Sequence, residues 1–264
     1  IGDLCPPACK YLNVNPASPL LTYDIETKVS DKHPEMMTVW HPRARLLCIS
    51  FSVLKMIEGR ITPVSLVMDS DSLSTQVLDA VFYRAAVIGA HNRNYDTVGL
   101  SALESYTIPS DVNLCSMGAG YVINQNPIPE AMGGQGLGLK SLSQYHLGAP
   151  AWEDELSLDE ERIKKEIQAE TRQVSAENRK RAKAGDDPLP LPEPFTYEKH
   201  DKGKLMLYCG KDTGNGASLL VVILQLIAHI DEREPNDGLS LSEFFYNLYT
   251  PMLYDLVEIE KTGI

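Results

Sequence analysis

The chain has 264 residues, 43% hydrophobic and 23% charged, which is enough apolar matter for a full core and the balance of an ordinary globular protein. It carries 36 Asp and Glu against 24 Lys and Arg, and the resulting net charge of −12 argues on its face against a nucleic-acid partner. Carboxylates that collect cations reverse the local sign, however, so net charge does not decide the function. No uninterrupted apolar stretch is long enough to cross a bilayer, so no membrane partner is expected.

Residues 1–19 are rich in proline and read as a leader or linker. The opening Ile1 to Cys5 lacks the basic and apolar regions of a secretory signal, and the absence of an initial Met marks a fragment or processed product. Cys5 and Cys9 bracket Pro6-Pro7-Ala8, but no second pair completes a zinc site. The five cysteines, an odd number, suggest no disulfide framework; Cys48 and Cys209 lie in apolar stretches and read as reduced core residues of an intracellular protein.

Leu20 to Ile25 reads as a buried strand, and Lys28 to Pro42 as a loop. Leu46 to Leu54 and Ile61 to Val67 read as a hairpin turning at Glu58-Gly59. The apolar spacing of Leu73, Val77, Leu78, Val81 and Phe82 predicts a helix over 72–84. Ala86 to Ala90 follows as a short strand, Tyr95 to Ser105 as a helix, and Val112 to Cys115 as a fifth strand leading into a helix through Tyr121. The Gly133–Gly138 run lacks a following Gly-Lys-Ser/Thr, so it reads as a flexible connection before a helix at Leu139 to His146. Leu158 to Ala184 is charged with a sparse apolar face and predicts an exposed helix ending in the Pro-rich turn Asp187 to Pro194. A helix from Lys202 to His229 is weakened at Gly210, Gly214 and Gly216, which calls for a close backbone neighbour or a break. After the turn Pro235 to Gly238 a new amphipathic segment begins.

Four carboxylates and a phenol stand out. Asp24 and Glu26 alternate on one strand and share a face, while Tyr208 and Asp212 lie one helical turn apart and share another. Asp96 opens the helix between them in the chain. Hard divalent cations favour such oxygen ligands, and a pair of ions can cut a phosphodiester bond while a Tyr hydroxyl orients the attacking water.

The runs Asp24-Ile25-Glu26, Asn92-Arg93-Asn94-Tyr95-Asp96 and Tyr208-Cys209-Gly210-Lys211-Asp212 resemble the three exonuclease motifs of the DEDD superfamily, the Tyr-x-x-x-Asp form marking its DEDDy branch. The likeness spans about Leu20 to Ile230 and implies an α/β, ribonuclease-H-like fold with a central mixed five-stranded sheet flanked by helices. Tyr249 to Leu253 and Glu258 to Ile264 are similar to the junction in family A DNA polymerases between proofreading and polymerase domains. The resemblance therefore implies a leader at 1–19, an exonuclease domain at 20–234 with an insertion at about 153–196, and the start of a polymerase domain at 235–264.

By the same resemblance two Mg2+ or Mn2+ ions bind Asp24, Glu26, Asp96 and Asp212; Tyr208 orients the nucleophile; Thr27 and Asn92 lie near the terminal nucleotide. The implied activity is removal of mispaired 3′ nucleotides from single-stranded or frayed DNA, in the cytoplasm of a bacterial or phage-infected cell or in an organelle, with the polymerase domain in cis. The chain departs from the pattern at Leu114-Cys115-Ser116, where many relatives carry Asp-Thr. The competing readings are an RNase D-like exoribonuclease and a non-catalytic nucleic-acid-binding domain of the same fold.

Overall fold

The computed structural model describes residues 20–28, 39–109, 113–124, 136–233 and 238–262. The leader with Cys5 and Cys9, most of the 28–42 loop and the first half of the Gly133–Gly138 run lie outside the described residues.

Five strands form one mixed sheet: β1 Leu20–Thr27, β2 Leu46–Ile57, β3 Arg60–Asp69, β4 Val87–Ala90 and β5 Asn113–Cys115, in the order β3-β2-β1-β4-β5. β1, β2 and β3 run antiparallel, whereas β4 and β5 run parallel to β1. That order and those directions make the fold ribonuclease-H-like, with helices on both faces. The β2–β3 hairpin turns where expected, and Glu58 and Gly59 both take positive φ (51° and 76°), the backbone sense that matches strand twist.

The two faces of β1 follow its period of two. Leu21, Tyr23 and Ile25 enter a core with Phe51 and with Leu78, Phe82 and Leu100 from helices α1 (Thr75–Phe82) and α2 (Arg93–Glu104). On the other side lies a long helix, Lys202–Arg233, preceded in the chain by α3 (Ser116–Ile123), α4 (Leu139–Leu147) and α5 (Asp154–Ala184); we number it α6. By length and composition alone α6 would suffice to cross a membrane, but it is a core helix, the buried helix that Gln225 and His229 within its apolar run suggest. Its Leu219, Leu220, Ile223, Leu224 and Ile227 are instead buried against Val87, Leu114 and Phe245.

The glycines do not break α6. A Cβ on Gly210 would meet Val67 Cγ2 at 2.9 Å, and one on Gly214 would meet Ser65 Oγ at 3.3 Å, so both allow the helix to lie close on β3. Gly216 faces open space. α5 begins earlier than its charge pattern suggested, and one face of its first turns is buried, through Leu156, Asp159 and Ile163.

The C-terminal segment forms α7 (Leu241–Phe244), a π-helical turn (Phe245–Tyr249) and α8 (Thr250–Lys261). α8 packs on α2 and β5: Val257 joins Val39 and Val98, and the Tyr254 hydroxyl accepts the Asn113 amide proton at 2.6 Å.

Candidate active site

β1 supplies the first pair of carboxylates. Asp24 and Glu26 project toward α6, opposite the Tyr23 and Ile25 side chains, with Asp24 half-buried and Glu26 only 9% exposed. The register against β2 slips between Glu26 and Thr27, at the end of the strand. Thr27 is buried there and its hydroxyl is bonded to that of Tyr95 at 2.6 Å. Asn92 precedes α2 in the left-handed conformation (φ 52°), exposed and without a capping bond.

Asp96 sits in the first turn of α2, where a carboxylate suits the helix dipole, but it is buried, unlike an ordinary surface residue of a helix start. Its Oδ1 accepts the Ile25 amide proton at 3.1 Å, between the two acidic residues of β1.

α6 brings Tyr208 and Asp212. Three strand hydroxyls seat this stretch of the helix by donating to its backbone carbonyls: Thr22 to Thr213 at 3.1 Å, Ser50 to Cys209 at 2.9 Å and Ser65 to Gly210 at 2.8 Å. β1, β2 and β3 thus each contribute one bond to the turns that carry the phenol and the carboxylate. Asp212 accepts from the Trp152 indole N–H and from the Tyr208 hydroxyl. Lys140, in the first turn of α4, donates to the Tyr208 hydroxyl at 3.0 Å and pairs with Glu153.

The acidic groups therefore converge from β1, α2 and α6. Ligand atoms of Asp24, Glu26 and Cys209 lie within 4.8 Å of one another, and Asp96 and Asp212 flank them closely enough to act on their charge. Burial and then the neighbouring Asp96, Glu26 and Asp212 hold the Asp24 carboxyl well above the usual range. Burial and then Asp212 do the same to Glu26. Asp96 is pushed up to about 8 by burial, opposed by the Ile25 hydrogen bond. Asp212 is raised by burial, with the Trp152 bond and Lys140 pulling the other way.

Four carboxylates with so little neighbouring positive charge are costly to ionise together. Divalent cations would remove that cost, and an all-oxygen set suits Mg2+ or Mn2+. Cys209 does not extend this set. Its thiol is raised well above its ordinary value, by its bond to Cys48 and by burial, and so stays protonated; its Sγ stands 3.6 Å from Asp24 Oδ2 as a donor. Burial chiefly, and then Asp212 and Glu26, also hold the Tyr208 phenol far above its ordinary range, so it acts only as a protonated hydrogen-bonding group.

Lys140, Trp152 and the three seating hydroxyls were not singled out from sequence. Lys140 and Trp152 carry no motif, and the hydroxyls read as ordinary strand residues until α6 is laid against them.

No protein-family model and no curated protein sequence matches this chain. Solved structures similar to it include two of Brucella melitensis NrnC, one of them with bound Mg2+. Each shows 12% identity and a TM-score of 0.47 over 92% of this chain and 87% of the other. A likeness at this level adds nothing to what the residues themselves support.

Proposed function

We propose that this chain is a divalent-metal-dependent 3′–5′ exonuclease. The reading is supported above all by one observation: Asp24, Glu26, Asp96 and Asp212 approach one another from three separate elements, with burial the first cause of all four raised carboxyl pKa values and the neighbouring carboxylates adding to it at Asp24 and Glu26. A pair of ions bound by these carboxylates would supply a hydroxide for attack on the terminal phosphodiester and stabilise the departing oxygen. The protein's own part is positioning. Asp96 is aimed by the Ile25 amide, Asp212 by Trp152 and Tyr208, and the protonated Tyr208 hydroxyl is available to orient a water. Asn92, exposed beside α2, is free of a capping bond and would contact the terminal nucleotide in this reading.

The strand is proposed to be DNA and the context a family A polymerase, on the resemblance of residues 249–264 to that junction. An RNase D-like exoribonuclease is the second reading, favoured by the packing of α8 onto α2 and β5 through Val257 and Tyr254, as a part of the nuclease body. Matched DNA and RNA single strands separate the two by rate.

The deciding experiment follows a 5′-labelled single strand in Mg2+. A ladder shortening one nucleotide at a time from the 3′ end is expected, lost in chelator and in Asp24→Ala or Asp212→Ala. Wild-type cleavage by either variant with chelator in excess rejects the metal mechanism.

A further inference from the structure

α5 is 31 residues long, about 46 Å at 1.5 Å per residue, and its buried residues all lie at its base. Leu156, Asp159 and Ile163 are its buried residues. Asp159 accepts from Arg162 at 2.8 Å and, across to the start of α6, from His200 Nδ1 and the Asp201 amide, both at 3.1 Å. Beyond Ile163 no residue of α5 is buried, so the distal helix stands away from the body.

The charges on that distal part are sorted by face. The returning chain covers one side: Phe195 lies under Lys164 at 5.0 Å, Leu189 exchanges two bonds with Asn178, and the Asp187 carbonyl accepts from Arg181 at 2.7 Å. Glu166, Glu170 and Glu177 fall on a second side. The third carries Lys165, Ala169, Arg172, Ala176, Arg179 and Lys183, alternately four and three residues apart and all exposed. Lys165 pairs with Glu161 at 3.5 Å, whereas Arg172, Arg179 and Lys183 have no acidic partner among the described residues.

Stability does not account for this stripe. Arg179 and Lys183 are like charges one turn apart, which disfavours a helix, and the acids that could pair with them lie on another face. The helix dipole favours cations only in the last turn, which explains Lys183 but not Arg172. In a protein of net charge −12, Thr171–Ala184 holds five basic residues and one acid. Cations about 6 to 10 Å apart by helical rise, separated by alanines that permit close approach, match a repeating anion. A membrane is a poor fit because the stripe offers no bulky apolar side chain for insertion.

We propose that the distal half of α5 is a nucleic-acid-binding arm that grips the phosphate backbone of the strand through Arg172, Arg179 and Lys183. This deepens the exonuclease reading, on which it rests for the identity of the strand: the arm holds, away from the carboxylates, the strand whose 3′ end is cut.

The test compares the full chain with Arg172→Gln/Arg179→Gln/Lys183→Gln, whose exposed glutamines preserve helix propensity and whose fold is checked by circular dichroism. Binding of fluorescein-labelled dT20 with 3′-terminal phosphorothioates is measured in Mg2+ between 50 and 200 mM salt. The expected result is binding weaker by about tenfold or more at low salt, with a log–log salt slope shallower by about 2. Cleavage of a dinucleotide, too short to reach the arm, stays unchanged. Wild-type affinity and slope in the triple variant overturn the proposal, as does a variant that loses binding to phosphatidylserine vesicles while keeping dT20. If the dinucleotide is never cleaved but dT20 binding still depends on the three cations, the nuclease reading fails and the arm stands.

Discussion

The Ile25 amide donates to Oδ1 of Asp96 at 3.1 Å, so the strand that presents two acidic side chains also orients a third through its backbone. This bond supports the negative charge of Asp96, but burial prevails and its pKa rises to about 8. A carboxyl whose native pKa exceeds its unfolded value binds more protons when folded, so its contribution to stability falls as pH rises from about 4 to about 8.

Asp96→Asn keeps an oxygen for Ile25 and removes the charge. In chelator at pH 8 the variant is therefore expected to melt higher than the wild type, by on the order of a few kcal/mol of stability. In Mg2+ the order should reverse, since the wild type gains more from binding the ion. Thermal melts with and without Mg2+ measure both. A lower melting point in chelator, with an equal Mg2+ response, contradicts the assignment of Asp96 to the site.

Trp152 reaches Asp212 across 60 residues of sequence, and its indole N–H is a donor to a carboxylate that must be ionised to hold a cation. Trp152→Phe retains the ring and removes that donor. A hydrogen bond to a charged group contributes about 1.5–3 kcal/mol, so half-saturating Mg2+ for cleavage should rise at least tenfold with little change in melting temperature. An unaltered Mg2+ dependence would show that the indole does not prepare Asp212.

His91 directly follows β4, its ring enclosed and its Nδ1 2.9 Å from the Ser116 hydroxyl. Burial lowers its pKa from 6.5 to about 4. Here the unfolded chain binds the proton more readily, so stability is complete above pH 6.5 and is lost as pH falls toward 4, by roughly 3 kcal/mol. Melting curves of wild type and His91→Asn across this range, both in Mg2+, should diverge at neutral pH and converge near pH 4. Parallel curves would exclude His91 as the source of the acid sensitivity.

Much of the architecture was legible locally. The alternation of Leu21, Tyr23 and Ile25 with Thr22, Asp24 and Glu26 fixes both the strand and the common face of its acids, because side chains alternate wherever a strand forms. Glu58-Gly59 marks the hairpin, and the one-turn spacing of Tyr208 and Asp212 puts them together on any helix. Helix ends were less legible. α5 begins before its charge-rich stretch because Leu156 and Asp159 are anchored by residues some forty positions away, around His200.

What the amino-acid order determined by itself was the set of acidic groups, the faces they share within one strand or one helix, and the sheet that carries the first pair. Only the tertiary structure decided how near the groups from β1, α2 and α6 come, and which bystanders join them. Lys140 and Trp152 become part of the site because the chain folds back over α6. Gly210 matters because β3 passes where its side chain would be. The reason is physical: periodicity governs neighbours along one element, whereas distances between elements are set by close packing and by hydrogen bonds, such as those from Thr22, Ser50 and Ser65, whose partners lie more than a hundred residues away.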